Sequence, residues 1–487
     1  MKRITGLLAA ALLVAGCSTM APDYQRPEAP VPDSWPEGPP DPAAGLATKG
    51  EQPVAEVGWR DLYGDDPVLT GLIEQSLEEN RDLRVAARRV EMVRAQYRIQ
   101  AAALFPQVNA TASYTQEQTP AAVYGGGFGG GGAITSEYYN ARVGISSYEL
   151  DLFGRIRSLE DQALQEFRST FAARRSAQIS LIAEVANAYM ALLGDRAQLR
   201  ATEEMLDTQR QSLDLAERRF ENGASSRQAV HQARTALAGT RAERAVLRRQ
   251  VAQDRNALRL LAGGSLPEAL TRQPDLQAVK LALPVPADLS SDLLLRRPDV
   301  LQAEHQLRAA NANIGAARAA FFPTVSLTGS YGSLSSDLDG VFSADSEAWS
   351  FVPQISLPIF DGGRREANLD VAKVRKKMEV ARYERTIQQA FREVADALAA
   401  YGTMEDRLSA QRERVAAARD NYELARTRFR RGIDSYLPVL DAQRTLFDAR
   451  KDLIAVRQAR FTNQVNLYRA LGGGWQGRTE AARDSGE

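Results

Sequence analysis

Residues 321–335 read FFPTVSLTGSYGSLS, and the period of hydrophobicity changes within this stretch. Before Pro323 the apolar residues follow a helical spacing that opens at Asp299-Val300. After Pro323 apolar and polar residues alternate. The apolar set is Val325, Leu327, Gly329 and Tyr331. Because the residue before a proline is disfavoured in the helical region, the pattern predicts a helix that ends here and a strand that follows.

The same change of period occurs earlier, at LFPQV in residues 104–108. The two prolines, Pro106 and Pro323, are 217 residues apart, as are the two helix openings. Farther along, Arg219-Phe220-x-x-Gly223 and Arg428-Phe429-x-x-Gly432 are 209 residues apart. The offset shrinks across a glycine run at residues 125–132, which lacks the Lys-Ser/Thr of a phosphate-binding loop. The chain is therefore predicted to be a tandem duplication whose first copy has the longer surface loop.

Four segments of the chain show the alternation that is typical of membrane-spanning strands. They are residues 107–117, 138–150, 324–335 and 348–359. Each is near the ~9–11 residues that a tilted transmembrane strand needs. The polar positions are mostly Ser, Thr and Asn, which suit a wet lumen better than a core. The alternative is a soluble four-stranded sheet packed on helices.

Four strands cannot close a barrel, because membrane barrels have about eight strands or more. An open sheet edge cannot lie in lipid, where its amide groups would lack hydrogen-bond partners. If the strands span, the chain must therefore oligomerise. A dimer would have eight strands, and a trimer would have twelve and room for a lumen.

Long amphipathic helical patterns follow each pair of strands. They cover Arg155–Phe220, Arg227–Ala262, Arg364–Phe429 and Ser435–Leu471. The longest predicts a helix of about 100 Å at 1.5 Å per residue. Short turns, Glu221–Ser226 and Arg430–Asp434, join the helices into two hairpins. An ordinary coiled coil would explain the helices alone, although not the strand pairs at matching points of both copies.

Composition limits the classes of protein that this chain can belong to. It has 487 residues, with 61 Lys+Arg against 61 Asp+Glu, so a nucleic-acid binder is disfavoured. It has two His and one Cys, which argues against disulfide frameworks and common metal sites. No Walker loop or nucleophile elbow occurs, so neither an enzymatic activity nor a cofactor is predicted. Beyond residue 16 no uninterrupted run of about 18 apolar residues predicts a transmembrane helix.

The amino terminus has the features of a bacterial lipoprotein signal. A short basic start precedes a ten-residue apolar run, which ends at Val14-Ala15-Gly16-Cys17. The pattern predicts cleavage before Cys17, the only Cys of the chain, with N-palmitoyl and S-diacylglycerol groups on that residue. Ser18 follows instead of Asp, so the outer membrane is the expected location. The alternative is an ordinary secretory signal with a chance Cys.

Several motifs together resemble TolC-type outer-membrane factors of the lipoprotein branch that serves RND multidrug efflux pumps. The residues that carry the resemblance are Cys17–Val31, Trp59–Leu62, Arg297–Val300, Ala310–Gly315, Leu440–Arg444 and Val465–Trp475. The resemblance implies an α+β membrane protein, with a twelve-stranded transmembrane β-barrel per homotrimer above a long α-helical barrel in the periplasm. It also implies a passive duct for drugs and other small toxic compounds, joined through a periplasmic adaptor to an inner-membrane RND transporter.

The resemblance also implies where the duct closes. In the family the second hairpin carries the periplasmic constriction, and the matching positions here are Leu437, Asp441 and Arg444. Their spacing of four and three places them on one helix face. The equivalents in the first copy, Gln228, Gln232 and Thr235, are uncharged. The alternative is a solvated surface pair. The hairpin tips at Gly223 and Gly432 are where the resemblance implies that the adaptor docks.

The predicted organisation of the chain follows from these observations. It comprises a signal peptide (1–16), a lipidated tether (17–57), an equatorial segment (58–81), repeat 1 (82–262), an equatorial linker (263–298), repeat 2 (299–474) and a tail (475–487). Two functional alternatives stay open at this point: a duct for type I protein secretion and a lipid-anchored periplasmic coiled-coil scaffold.

Overall fold

The computed structural model describes residues 19–36, 57–120, 133–272, 276, 279, 281, 283 and 289–478. Cys17 and the glycine run at 125–132 lie outside these residues. The helices are α1 (Trp59–Tyr63), α2 (Pro67–Glu79), α3 (Arg81–Ala102), α4 (Arg155–Glu221), α5 (Arg227–Ala262), α6 (Pro298–Ala319), α7 (Arg364–Arg430) and α8 (Leu437–Ala470). The strands are β1 (Val108–Pro120), β2 (Ala133–Leu150), β3 (Thr324–Ser335) and β4 (Glu347–Ser356). The long helices begin and end within two residues of their predicted bounds.

The chain forms two compact units. Of the described residues, the first unit contains 19–27 and those within 91–170 and 303–383. The second contains the described residues within 28–90, 171–302 and 384–478. The sheet belongs to the first unit and both hairpin tips belong to the second.

The sheet is antiparallel with the strand order β1-β2-β3-β4. Its register separates an apolar face from a polar face, as the alternation predicts. One rung of the apolar face is Ala110, Val143, Tyr331 and Trp349. One rung of the polar face is Asn109, Gly144, Ser330 and Ser350, where the last two hydroxyls are 2.8 Å apart. Within one chain, β1 and β4 each pair on a single side.

The strands differ from the predicted ones in three ways. The first hairpin is longer, because pairing continues to Pro120 opposite Ala133. β4 ends at Ser356 and not at residue 359, because its last partner is Thr324, the first residue of β3 after Pro323. β2 contains a bulge between Ile145 and Tyr148 that the alternation did not reveal. There the backbone N–H of Ser147, at φ 51°, donates to Thr328 Oγ1.

In the second unit, residues 57–60 are hydrogen-bonded to residues 468–477, which are far from them in sequence. The N–H of Trp59 donates to the carbonyl of Gln476, and that of Arg60 donates to the carbonyl of Gly477. The Tyr468 hydroxyl donates to the carbonyl of Val57 at 2.5 Å. Trp59 and Tyr468 are both buried. The motifs Trp59–Leu62 and Val465–Trp475 therefore come together through this unit's core.

Arg297, at the start of α6, also connects segments that are far apart in sequence. Its buried guanidinium donates two hydrogen bonds to Asp299, one to Glu393 and one to the carbonyl of Ala470. A buried charge is tolerated only when it is paired in this way. The Arg297–Val300 motif is therefore explained by packing.

Among the described helices, α4 contains an 18-residue stretch that is long and apolar enough to cross a membrane by composition. The protein itself buries 61% of that stretch. Ile182, Val185, Tyr189 and Leu193 are among the buried apolar side chains of this helix. The apolar composition of this stretch is explained by its place in the protein core, where other parts of the protein cover it.

Two carboxyl groups lie close together between α4 and α5 in the second unit. Gln250 Nε2 donates to Asp254 Oδ1 at 3.1 Å. Burial raises the pKa of Asp195 to about 6, and the nearby carboxyl group of Asp254 adds to the shift. The equivalents in the second copy are Met404 and Asn463, so the pair occurs only in the first copy.

We expect Asp195→Asn to raise the free energy of unfolding at about pH 7.5 by about 1 kcal/mol, after allowance for solvent screening. A carboxyl whose pKa is raised on folding stabilises the protein below its unfolded value and loses that contribution as pH rises through the folded value. The amide does not ionise and can donate a hydrogen bond towards Asp254. Thermal unfolding at about pH 4 and 7.5 checks this, and an equal effect at both values would contradict it.

Candidate functional site

The two hairpin tips have the same backbone design. At the end of α4, the N–H of Gly223 donates to Phe220 O and that of Ala224 donates to Arg219 O. At the end of α7, Gly432 donates to Phe429 O and Ile433 donates to Arg428 O. This pair of bonds is the Schellman motif, which needs a left-handed residue at the helix end. Gly223 and Gly432 supply it with φ values of 71° and 75°.

The tips share one apolar core. Its members come from both hairpins: Ala216, Val230, Ala233, Val415, Ala418, Tyr422, Ala425, Phe429, Tyr436, Val439, Ala442, Leu446 and Ala449. The Phe of the repeated motif has different surroundings in the two copies. Phe429 is 7% exposed and Phe220 is 38% exposed. The guanidinium of Arg219 lies 4.6 Å from the centre of the Phe429 ring, so the first tip covers the second.

A second ion pair at the tip was missed from the sequence. Arg428 donates to both carboxylate oxygens of Asp434, at 2.6 and 3.1 Å, across the turn of the second hairpin. These hydrogen bonds from Arg428 lower the pKa of Asp434. The first copy has Ser225 in place of Asp434. A position-by-position comparison of the two copies at offset 209 was the signal that could have found this pair.

The structure brings the three predicted constriction residues to one exposed face of α8. Leu437 begins the helix and is 52% exposed. The side chains of Asp441 and Arg444 are 64% and 77% exposed, and their closest charged atoms are 3.9 Å apart. Such a loose, solvated pair contributes little to stability. Within one chain, both charges are therefore free to face another molecule.

The opposite side of α8 lines a groove between α4, α7 and α8. The groove has a volume of about 310 Å³, and its lining includes Arg419, Arg426, Arg450 and Gln443. Gln443 is buried, and its amide atoms have no hydrogen-bond partner among the described residues. Exposed charge and a polar groove thus lie on two sides of one helix.

The two histidines have no arrangement suited to chemistry. His305 Nδ1 lies 2.9 Å from Gln165 Oε1, and burial lowers the pKa of His305. His231 is exposed on α5. In the described part of the chain, no group of three or more His, Cys, Asp or Glu could hold a metal ion.

Comparison with known proteins identifies the family to which this chain belongs. The profile of the family described as outer membrane efflux protein matches residues 72–264 and 289–473. The chain belongs to this family. The two matched ranges fall on the two repeats and carry both hairpin tips.

Individual relatives cover the chain almost completely. It is 51% identical over 481 residues to the probable efflux pump outer membrane protein TtgC of Pseudomonas putida, covering 99% of this chain and 97% of that protein. It is 43% identical over 474 residues to the cation efflux system protein CusC of Escherichia coli O157:H7, covering 96% and 97%. The open MtrE outer membrane channel of Neisseria gonorrhoeae matches with a TM-score of 0.83 and 35% identity, covering 95% of this chain and all of that one.

These comparisons confirm the predicted family, fold class and location. The protein is an outer-membrane efflux channel with a helical barrel and a β-barrel. Its family consists of ducts of efflux systems and not of enzymes. The soluble sheet, the periplasmic scaffold and the protein-secretion duct do not fit relatives that are named as efflux pump outer membrane proteins at 45–51% identity.

We expect Gly432→Ala to lower the free energy of unfolding by about 1 kcal/mol, because the Schellman motif requires a left-handed residue at this position. A Cβ at Gly432 would meet nothing within 4 Å, so the cost is one of backbone conformation alone. Chemical denaturation measures it.

Gly239→Ala is the matched control, because Gly239 lies within α5 and also has open space around it. This change should stabilise the protein by about 0.5–1 kcal/mol. A Gly432→Ala protein as stable as the wild type would contradict the assignment.

Proposed function

We propose that three copies of this chain form the passive exit duct of a tripartite efflux pump, with an adaptor at the periplasmic tips and an RND transporter in the inner membrane. The observation that carries the trimer is the four-stranded sheet, which has an apolar face, a polar face and two edges that are open within one chain. Lipid cannot satisfy the amides of those edges. Three chains supply twelve strands, with the apolar faces towards lipid and the polar faces towards a lumen.

The names of the relatives support small toxic compounds as cargo. Similar proteins are named as outer membrane proteins of toluene and antibiotic efflux pumps and as a protein of a cation efflux system. These compounds share small size, and no single chemistry unites them. A duct that does not select its cargo by chemistry fits this range, and selection would then belong to the inner-membrane partner. The energy for transport would come from that partner as well.

The exposed face of α8 supports a charged constriction at the periplasmic end. In a threefold assembly, Leu437, Asp441 and Arg444 of each chain would be repeated around one axis. Carboxylates in such a ring repel one another unless Arg444 or cations neutralise them. Leu437 would add an apolar ring beside the charged one. The first hairpin carries Gln228, Gln232 and Thr235 at these positions and so offers no charged ring.

The groove on the other side of α8, with the tips at Gly223 and Gly432, supports adaptor docking at this end of the chain. Arg219 over the Phe429 ring joins the two tips, and the pair of Arg428 and Asp434 braces the turn of the second tip. A rigid tip lowers the entropy lost on binding a partner. The acyl groups on Cys17 would anchor the amino terminus in the outer membrane.

We expect the double substitution Asp441→Ala with Arg444→Ser to raise the single-channel conductance of the purified oligomer in planar bilayers, because it removes the charges that close the ring. The oligomer should stay intact on unheated gels, and its stability should change by no more than about 0.5 kcal/mol, because both side chains are exposed.

Gln232→Ala with Thr235→Ser, at the equivalent positions of the first hairpin, is the matched control and should leave conductance unchanged. Equal conductance of the wild type and the Asp441–Arg444 variant would remove these residues from the constriction. Absence of channel activity in both the wild type and the Asp441–Arg444 variant would refute the duct.

Palmitate label should enter the wild-type chain and be absent from Cys17→Ser, because the thiol of Cys17 is the predicted site of acylation. The measurement is growth of an expressing strain with labelled fatty acid, followed by purification of the chain. Label at the same level in both proteins would show that Cys17 is not the attachment site.

A further inference from the structure

Two motifs that are far apart in sequence interlock in the first unit. One is the segment at residues 19–27, named here the strap, which follows the predicted acylation site. The other is on α6 and includes the stretch Ala310–Gly315. The α6 residues that meet the strap, named here the seat, are Glu304, Arg308, Asn311, Gly315 and Arg318.

A buried carboxylate holds the carboxyl-terminal end of the strap. Glu304 is 3% exposed. Arg26 donates to both of its oxygens, at 3.2 and 2.8 Å, and the Tyr24 hydroxyl donates to Oε1 at 3.3 Å. Arg308 also donates to Oε1, and its guanidinium lies 4.7 Å from the centre of the Tyr24 ring. Two cations thus surround one buried anion, and one of them comes from the strap.

The remaining contacts continue along α6 in one direction. Asn311 Nδ2 donates to the carbonyl of Pro22 at 2.7 Å, and Arg318 Nη1 donates to the carbonyl of Met20 at 3.2 Å. Between them, Gly315 lets the strap approach the helix. A Cβ at Gly315 would lie 2.5 Å from Ser158 Oγ on α4, 2.6 Å from the nitrogen of Ala21 and 2.9 Å from its Cα, so the absence of a side chain admits both neighbours. The strap therefore runs antiparallel to α6, with its amino-terminal end towards β3.

Electrostatics favours the docked strap at neutral pH. Burial by itself would raise the pKa of Glu304, but hydrogen bonds from Arg26 and Arg308 outweigh it, so that the pKa lies below its ordinary value. The groups around this carboxyl are Tyr24, Arg26, Arg308 and Tyr383. Glu304 is thus ionised at the pH of growth and available to hold Arg26.

The seat is a property of the second copy alone. At offset 217 the first copy has, on α3, Ala87, Glu91, Arg94, Arg98 and Ala101 in place of the five seat residues. No carboxylate stands at the Glu304 position, and an arginine replaces Gly315. Both copies have kept the helix, α3 in the first and α6 in the second. The five residues that hold the strap on α6 are all different on α3.

We propose that the strap and its seat form a strut that holds the acylated amino terminus at the level where β3 leaves α6. The inference rests on the proposed acylation of Cys17. Cys17 lies three residues before Met20, so it can reach at most about 11 Å from the point where Arg318 holds the strap. Arg318 is the penultimate residue of α6, and β3 begins at Thr324. A lipid on Cys17 would therefore lie near the end of α6, from which the chain enters β3, and the strut would couple anchoring to assembly.

The first experiment measures docking of the strap in the purified full-length protein. A protease that cuts beside aspartate is used, and cleavage at Asp23, which is exposed, is followed by mass spectrometry. Tyr24→Ala with Arg26→Ala should raise the cleavage rate about tenfold or more, because it removes charge-assisted hydrogen bonds to Glu304. Gln25→Ala, between these residues and exposed, should cut at the wild-type rate.

Gly315→Ala tests the seat without weakening its helix. Alanine is the better helix former, so the change does not weaken α6 itself. Its Cβ would also lie 2.5 Å from Ser158 Oγ, so Gly315→Ala is made in a Ser158→Ala background, and Ser158→Ala alone should cut at the wild-type rate. Gly402→Ala, at a helical glycine with nothing within 4 Å of its Cβ, is the matched control. Cleavage at the wild-type rate in both Gly315→Ala and the strap variant would overturn docking.

The second experiment tests the coupling to the lipid. The fraction of each variant that forms heat-modifiable oligomers in outer membranes is measured with Cys17 and with Cys17→Ser. We expect the strap variant to lower this fraction when Cys17 is present and to have no further effect in Cys17→Ser. Equal losses in both backgrounds, or no loss in either, would overturn the strut. Absence of palmitate on the wild type would refute the proposed acylation, whereas the cleavage rates would still decide whether the strap is docked.

Discussion

The unpaired edges of a four-stranded sheet are the constraint on which the rest of this protein depends. β1 and β4 each pair on a single side within the chain, and their free N–H and C=O groups cannot be left in lipid. One chain therefore cannot be the functional channel. The apolar and polar side chains lie on opposite faces of the sheet, and this decides which face is outside in the proposed barrel. Val143 and Trp349 would face lipid, and Asn109 and Ser330 would face the lumen.

Duplication supplied two copies of one plan, and later divergence gave them different chemistry. Both long helices end in the same Schellman motif, because its backbone geometry depends only on a left-handed glycine. The side chains around it have diverged. The second copy carries Asp441 and Arg444 on an exposed face, and it also carries Glu304 under the strap. The first copy carries the carboxyl pair of Asp195 and Asp254.

Several sequence motifs of the family contact one another in pairs in the folded chain. Trp59–Leu62 meets the segment after Val465, Arg297 donates to the carbonyl of Ala470, and the strap meets Ala310–Gly315. Each contact joins residues separated by more than 170 positions. Such contacts close large loops, which costs chain entropy, so buried aromatic rings and buried charges are needed to hold them.

The sequence by itself determined the elements. Periodicity, Phe-Pro junctions and helix-ending glycines predicted the four strands and the long helices, because these signals act over a few residues. The shared helix face of Leu437, Asp441 and Arg444 also followed from spacing alone. Only the tertiary structure decided the bulge at Ser147, the pairing of Arg428 with Asp434, the exposure of Phe220 against the burial of Phe429, and the seat of the strap. These depend on which distant residue occupies the space beside each side chain, and that is settled by packing and desolvation and not by local pattern.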